Sequence, residues 1–274
     1  MLPKVITMTD TLTARPTVRA VLNKVPEVTI FFWIIKVLAT TVGESAADYL
    51  NTQLNLGFAP TATLMTALLV AVLIWQFRLH RYVPAVYWLA VVLVSVVGTM
   101  LTDYLHDTLG LGLLRASTLF AGLLAVTFVA WYRSERTLSI HSIYTRRRET
   151  FYWTAVLFTF ALGTAAGDLL SLKMNNQLWQ PALVIATIIA IVFVEHRVFH
   201  MDAVPSFWIA YILTRPLGAN MGDFLASAKA DGGLGFGLGW TTFSFLAAII
   251  GAVAYLTVTR RDQTEVVYAG TDAP

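Results

Sequence analysis

Four stretches of one pattern, each setting an aspartate inside an apolar run, constrain this chain more than anything else in it. They read Val42-Gly43-Glu44-Ser45-Ala46-Ala47-Asp48, Val97-Gly98-Thr99-Met100-Leu101-Thr102-Asp103, Leu162-Gly163-Thr164-Ala165-Ala166-Gly167-Asp168 and Leu217-Gly218-Ala219-Asn220-Met221-Gly222-Asp223. A small residue follows each glycine by four positions and the aspartate follows by five. Ten residues before each glycine stands a Trp (Trp33, Trp88, Trp153, Trp208), and an aromatic precedes each Trp. A carboxylate in a lipid-spanning helix is costly, so it usually faces protein or water and marks function. Four at equivalent positions point to one shared polar site.

The chain is 57% hydrophobic and 13% charged, with a mean hydropathy of +0.67, a balance suited to a multi-span membrane protein. Apolar runs predict an all-α polytopic protein with about eight spans near 29–51, 58–78, 85–105, 112–132, 151–172, 178–195, 205–226 and 236–258, long enough to cross a hydrocarbon core of about 30 Å. The spans form four tandem hairpins, 29–78, 85–132, 151–195 and 205–258, inside a transmembrane domain 29–258. An N-terminal segment 1–28 and a tail 259–274 flank it. Residues 1–28 lack the apolar stretch of a signal peptide, and Thr17–Val25 reads either as a short surface helix or as disorder.

The repeat glycines are 55, 65 and 55 residues apart, as expected for a hairpin duplicated twice, with the extra residues in the loop 133–150. Two spans per repeat keep all four in one orientation, with a pseudo-symmetry axis along the membrane normal rather than in its plane. Of 19 Lys and Arg, 14 fall in the termini and the loops after spans 2, 4 and 6; the opposite loops hold Arg115, Lys173 and Lys229. The positive-inside rule then places both termini in the cytoplasm. Arg146–Arg148 are a topological signal, and no nucleic-acid partner is expected.

The repeat Trp residues fit the aromatic belt of the cytoplasmic face. Each glycine lies about 15 Å deeper and each aspartate about 22 Å deeper. Gly43, Gly98, Gly163 and Gly218, with a small residue four later, form a close-packing motif; the odd-numbered spans should be innermost. Asp48, Asp103, Asp168 and Asp223 are candidate metal ligands, with Glu44 as a fifth near the midplane. Thr99 and Thr164 occupy the Glu44 position in repeats two and three, and Ala219 in repeat four. Arg215 precedes Pro216, where a kink is expected, and is placed to pair with Glu44 or act as a built-in counter-ion. Lys36 reads as a snorkelling side chain or a member of the proton pathway. Structural roles for the aspartates, as hydrogen-bonding or capping groups, remain the competing reading. His106 and Asp107 read as solvated loop, or with Asp103 as a metal-capturing mouth. His196 and His200 read as interfacial.

There is no cysteine, which excludes disulfides and thiolate metal sites. No HExxH, P-loop, dinucleotide fingerprint or GxSxG stands in the chain, so no enzyme is expected. Gly232–Gly239 reads as a turn between spans 7 and 8.

The four Gly-x-x-x-small-Asp hairpins with their Trp markers resemble a family of bacterial membrane proteins defined by a fourfold repeat of unknown function. The resemblance covers roughly residues 29–258 and implies a multi-pass inner-membrane protein. The residues themselves suggest a secondary transporter of a cation, in particular a divalent metal such as Mn²⁺ exchanged with protons, since oxygen ligands without sulfur suit hard ions. The alternatives are a non-transporting scaffold or sensor, or a proton-coupled transporter of an organic cation. The expected partners are the cation, protons and the lipid bilayer. No cofactor is expected other than the divalent cation.

Overall fold

The computed structural model describes residues 23–53, 57–174 and 179–263. The N-terminal basic residues Lys4, Arg15 and Arg19, most of Thr17–Val25 and most of the tail lie outside the described residues.

Among the described residues eight α-helices follow in chain order: α1 (Ile30–Asp48), α2 (Phe58–Arg78), α3 (Pro84–Asp103), α4 (Leu113–Glu135), α5 (Arg146–Lys173), α6 (Trp179–Val198), α7 (Ala203–Ala226) and α8 (Gly237–Thr259). Their starts follow from local chemistry. Thr29 caps α1 by accepting the Phe32 N–H, Pro84 stands in the first turn of α3, and Thr145 caps α5 by accepting the Arg148 N–H. That last cap moves the start of α5 ahead of the expected 151, so Arg146–Arg148 form its first turn. Gly232, Gly235 and Gly237 have φ of 83°, 78° and 78°, the left-handed region a tight turn needs, as their clustering predicts.

Among the described residues, seven helices are long and apolar enough to cross a membrane. The eighth, α7, is 24 residues long but carries Arg215, Pro216, Asn220 and Asp223. It packs against α1, α5 and α6, so protein rather than lipid surrounds its polar stripe. The helix continues through Pro216.

The odd helices form a closed inner ring: α1 packs on α3, α3 on α5, α5 on α7, and α7 on α1. The even helices lie outside. Only 11–28% of their apolar windows is buried, against 50–78% for α1, α3 and α5. Each repeat is a hairpin along the chain, yet each second helix packs mainly on the first helix of the next repeat: α2 on α3, α4 on α5, α6 on α7, and α8 on α1. Every repeat thus depends on its neighbour to cover its inner helix, and the last closes on the first.

The glycines set the ring's dimensions. A Cβ on Gly43 would collide with Ser95, one on Gly98 with Phe160, one on Gly163 with Arg215, and one on Gly218 with Thr40. In every case the obstacle stands three residues before the next repeat's glycine. The same backbone approach lets the Thr102 hydroxyl donate to the Ala161 carbonyl at 3.0 Å and the Thr41 hydroxyl to the Gly218 carbonyl at 3.1 Å.

One end of the bundle is basic and stapled by buried polar contacts. Lys24 donates to Glu149 at 2.6 Å, and Gln76 donates to the same carboxylate at 3.3 Å. Tyr82 donates to Asp262 at 2.5 Å. Burial holds the Asp262 carboxyl above the usual aspartate range and the Tyr82 phenol above that of tyrosine.

The belt expectation is corrected for three of the four repeat Trp residues; Trp33 is half-buried. Trp88, Trp153 and Trp208 are buried, and Trp208 donates to the Leu138 carbonyl at 3.0 Å. They anchor inner helices to one another and to the central loop. Exposed Trp75, Trp179 and Trp240 lie instead on the even helices, the side that meets lipid.

Candidate cation site on the repeat axis

Because the repeats are related around a ring, residues at equal offsets from the glycines form layers across it. Three residues before the glycine come Thr40, Ser95, Phe160 and Arg215; one residue after come Glu44, Thr99, Thr164 and Ala219; five after come the four aspartates. Successive layers are about 6 Å apart along the helices.

The first two layers meet on one side chain. Arg215 is fully buried, and its Nη2 donates to Glu44 Oε2 at 2.8 Å, to Thr164 Oγ1 at 2.8 Å and to Thr99 Oγ1. Its Nη1 donates to the Thr40 carbonyl at 3.0 Å. The Thr99 hydroxyl donates in turn to Glu44 at 3.2 Å. The guanidinium of repeat four therefore sits in a cup made by repeats one, two and three. Ala219, at the fourth repeat's own cup position, has no competing polar group. A guanidinium suits this place because its donors are fixed in a plane and it stays charged when buried.

Lys36 lies toward the basic end. The expected snorkelling does not occur. Lys36 is buried, with Nζ 3.8 Å from the centre of the Phe160 ring and 4.2 Å from that of Tyr211, and it has no hydrogen-bond acceptor among the described residues. Ring faces attract a cation, and those of Phe160 and Tyr211 take the place of water. Phe160 also faces the Arg215 guanidinium at 5.8 Å. Beyond Lys36 the axis is closed by buried Phe32, Tyr87, Tyr152 and Tyr211, with the Tyr87 and Tyr152 hydroxyls 2.5 Å apart.

The opposite end is acidic. Asp48 and Asp103 are the last residues of α1 and α3, each followed by a π-helical turn (Tyr49–Gln53 and Tyr104–Thr108), while Asp168 and Asp223 stand inside longer helices. All four are half-buried. Asp103 is within electrostatic range of Glu44, Asp48, Asp168 and Asp107; Asp223 is within range of Glu44, Asp168 and Asp48. The aspartates thus share one end of one axis, a turn away from the Glu44–Arg215 pair. Among the described residues no three His, Cys, Asp or Glu groups come close enough to hold a metal ion together. His106 contacts the Leu111 carbonyl through Nδ1 at 3.1 Å, and His196 contacts that of Met201 through Nδ1 at 2.8 Å.

The arrangement holds one cation, the protein's own, at the centre, with four carboxyl groups at one end of the axis. Residues that the repeat cores do not flag complete it: Thr40, Phe160 and the tyrosines. Comparing the position three before each glycine would have revealed the first two, since Arg215 stands there in repeat four.

Four consecutive matches to the Repeat of Unknown Function (DUF347) span residues 31–82, 86–137, 151–199 and 206–262. The chain belongs to this repeat family. The matched segments coincide with the four hairpins, so the family's unit is the element whose stacking builds the ring. No curated protein and no solved structure matches the chain.

Proposed function

We propose that this repeat-family protein is a secondary transporter of a cation, multi-pass in a bacterial inner membrane with both termini cytoplasmic, and that Arg215 is a resident cation which the substrate displaces. The observation that carries the reading is the cup itself. One carboxylate, two hydroxyls and a carbonyl from three repeats converge on a fully buried guanidinium, one helical turn from four aspartates. Buried ionisable groups facing a bundle interior are the usual components of ion pathways.

In this account the acidic end concentrates cations. A cation reaching Glu44 competes with Arg215, and Glu44 exchanges Arg215, the substrate or a proton as its partner. Coupling follows because Glu44 cannot satisfy two of these at once. The aromatic layer beyond Lys36 keeps the basic end shut while the acidic end is accessible. A cup already shaped around a guanidinium beside a phenyl ring favours an organic cation in this conformation. A divalent metal such as Mn²⁺, exchanged against protons, would require Asp48, Asp103, Asp168 and Asp223 to draw together around it.

The test is flux into liposomes by the purified protein, against a panel of organic and metal cations, with and without a pH gradient. Flux of at least one cation that responds to the gradient supports the reading. Failure across the panel favours the scaffold alternative, in which the Glu44–Arg215 pair only holds helices together.

A further inference from the structure

A second feature lies away from the axis and does not depend on the transport reading. α6 packs on α7 and α7 on α1, and along them a groove of about 700 Å³ opens at the basic end, floored by α1 and α7 and walled by α6 and the loop at 138–141. Its depth is lined by apolar groups, among them Trp33, Val37, Ile189, Ala190 and Phe207. Its rim is polar and basic, with Ser139, His141, His196 and Arg197. From Ala186 to Arg197 the wall extends about 16 Å along α6. That is about half of a hydrocarbon core of about 30 Å.

We propose that this groove holds a phospholipid with an anionic head group, drawn from the leaflet at the basic end. Three properties of the groove select this occupant. Its lining on α6, rim included, is about as long as one leaflet is deep. It lies on the outer surface of the bundle, beside α6, whose exposed face carries Leu183, Ile188, Ile191 and Val194. Among the described residues that line it, the single permanent charge is positive: Arg197 is exposed, with its guanidinium 5.5 Å from the Phe193 ring centre, so the chain of α6 holds it at the rim. Among the described residues, Glu27 stands 3.2 Å from His141 Nε2, and the exposed Glu195 and Asp202 adjoin the lining residues His196 and Ala203 in sequence. His196 commits Nδ1 to the Met201 carbonyl, which leaves Nε2 as the nitrogen available to a phosphate oxygen. A basic pocket between helices at a membrane surface is the arrangement that recognises anionic head groups.

The experiment is native mass spectrometry of the full chain in mild detergent, titrated with phosphatidylglycerol or phosphatidylcholine of identical acyl chains. One phosphatidylglycerol per chain, retained in preference to phosphatidylcholine, is expected. Arg197→Gln should weaken phosphatidylglycerol retention about fivefold and bring it near that of phosphatidylcholine. Ala190→Trp, which fills the groove from an exposed wall position, should abolish retention of both, with unchanged thermal stability showing that the bundle is intact. Equal retention of the two lipids by the wild type would overturn the proposal, as would retention unaffected by Ala190→Trp. A dimer that Ala190→Trp dissociates would also overturn it, by assigning the groove to a second copy of the chain.

Discussion

Glu44 of α1 and Arg215 of α7 meet at 2.8 Å inside the helix ring, one contributed by the first repeat and the other by the last. The pair closes the ring where its two ends in sequence join, beside the glycine contact between Gly218 and Thr40. Breaking a buried pair by removing one partner costs about 3–5 kcal/mol, because the other charge is left unpaired. Glu44→Gln and Arg215→Gln should therefore each lower the unfolding midpoint, and the double variant should recover most of the loss. Thermal unfolding in detergent checks this; strictly additive losses would show that the two side chains act independently.

Arg215 should also act as a competitor for any cation that reaches the cup. If it fills the cup nine-tenths of the time, removing it should tighten cation binding about tenfold. Calorimetry on Arg215→Gln, with a transported cation as titrant, measures this. Weaker binding in the variant would mean that Arg215 helps to form the site rather than occupying it.

The glycine contacts predict a sharp positional contrast. A Cβ at Gly98 would stand 2.8 Å from Phe160 Cβ and 3.3 Å from the Ala161 nitrogen, so the helices must part. Gly98→Ala should cost about 1–3 kcal/mol, the range for overpacking a well-packed site. Gly122 and Gly251, on the outer helices α4 and α8, have no heavy atom within 4 Å of such a Cβ. Alanine there should be neutral or stabilise by up to about 1 kcal/mol, the helix-propensity difference. Unfolding midpoints of the three variants distinguish the cases.

Much of this arrangement is legible in the sequence. Hydrophobic run lengths place all eight helices to within a few residues, because lipid thickness leaves little freedom. The fixed Gly-to-Asp offset places the four aspartates at one end of the inner ring, and the lone Glu44 beside the out-of-place Arg215 hints at their pairing. Partner choice between helices is not legible: α2 and α3 are adjacent along the chain, but nothing local reveals that α8 returns to α1. Lys36 is misread for a related reason. Its nearness to the helix start suggests a side chain reaching water, while the rings that hold it, Phe160 and Tyr211, come from distant helices. The Trp residues mislead because an aromatic near a membrane surface can face lipid or a neighbouring helix, and only packing decides.

The basic end carries a pH signature. Burial holds Asp262 above the ordinary aspartate value of about 3.9, while the Tyr82 bond opposes this. The folded state therefore keeps the proton to higher pH than the unfolded chain. Below the unfolded value both states are protonated and this group's contribution is at its most favourable. As pH rises through the interval up to the raised folded value, the unfolded chain ionises first and stability falls. Asp262→Asn should flatten that part of the profile. Unfolding midpoints across pH 3–7 test it, and an unchanged slope would remove Asp262 from the account.

Asp→Asn variants separate a cation path from a scaffold, because Asn keeps the shape and hydrogen-bonding capacity of Asp without its charge. Asp103→Asn, Asp168→Asn and Asp223→Asn should each reduce flux while leaving the unfolding midpoint nearly unchanged. Poor folding combined with full residual flux would assign these aspartates a structural role.

The most direct test of the central claim is the pH dependence of cation flux in liposomes carrying Glu44→Gln, compared with the wild type. With Glu44 as the group that exchanges Arg215, substrate and proton, the variant should lose the response to a pH gradient, and with it most of the flux. Flux at the wild-type rate with an unaltered pH response would contradict the account.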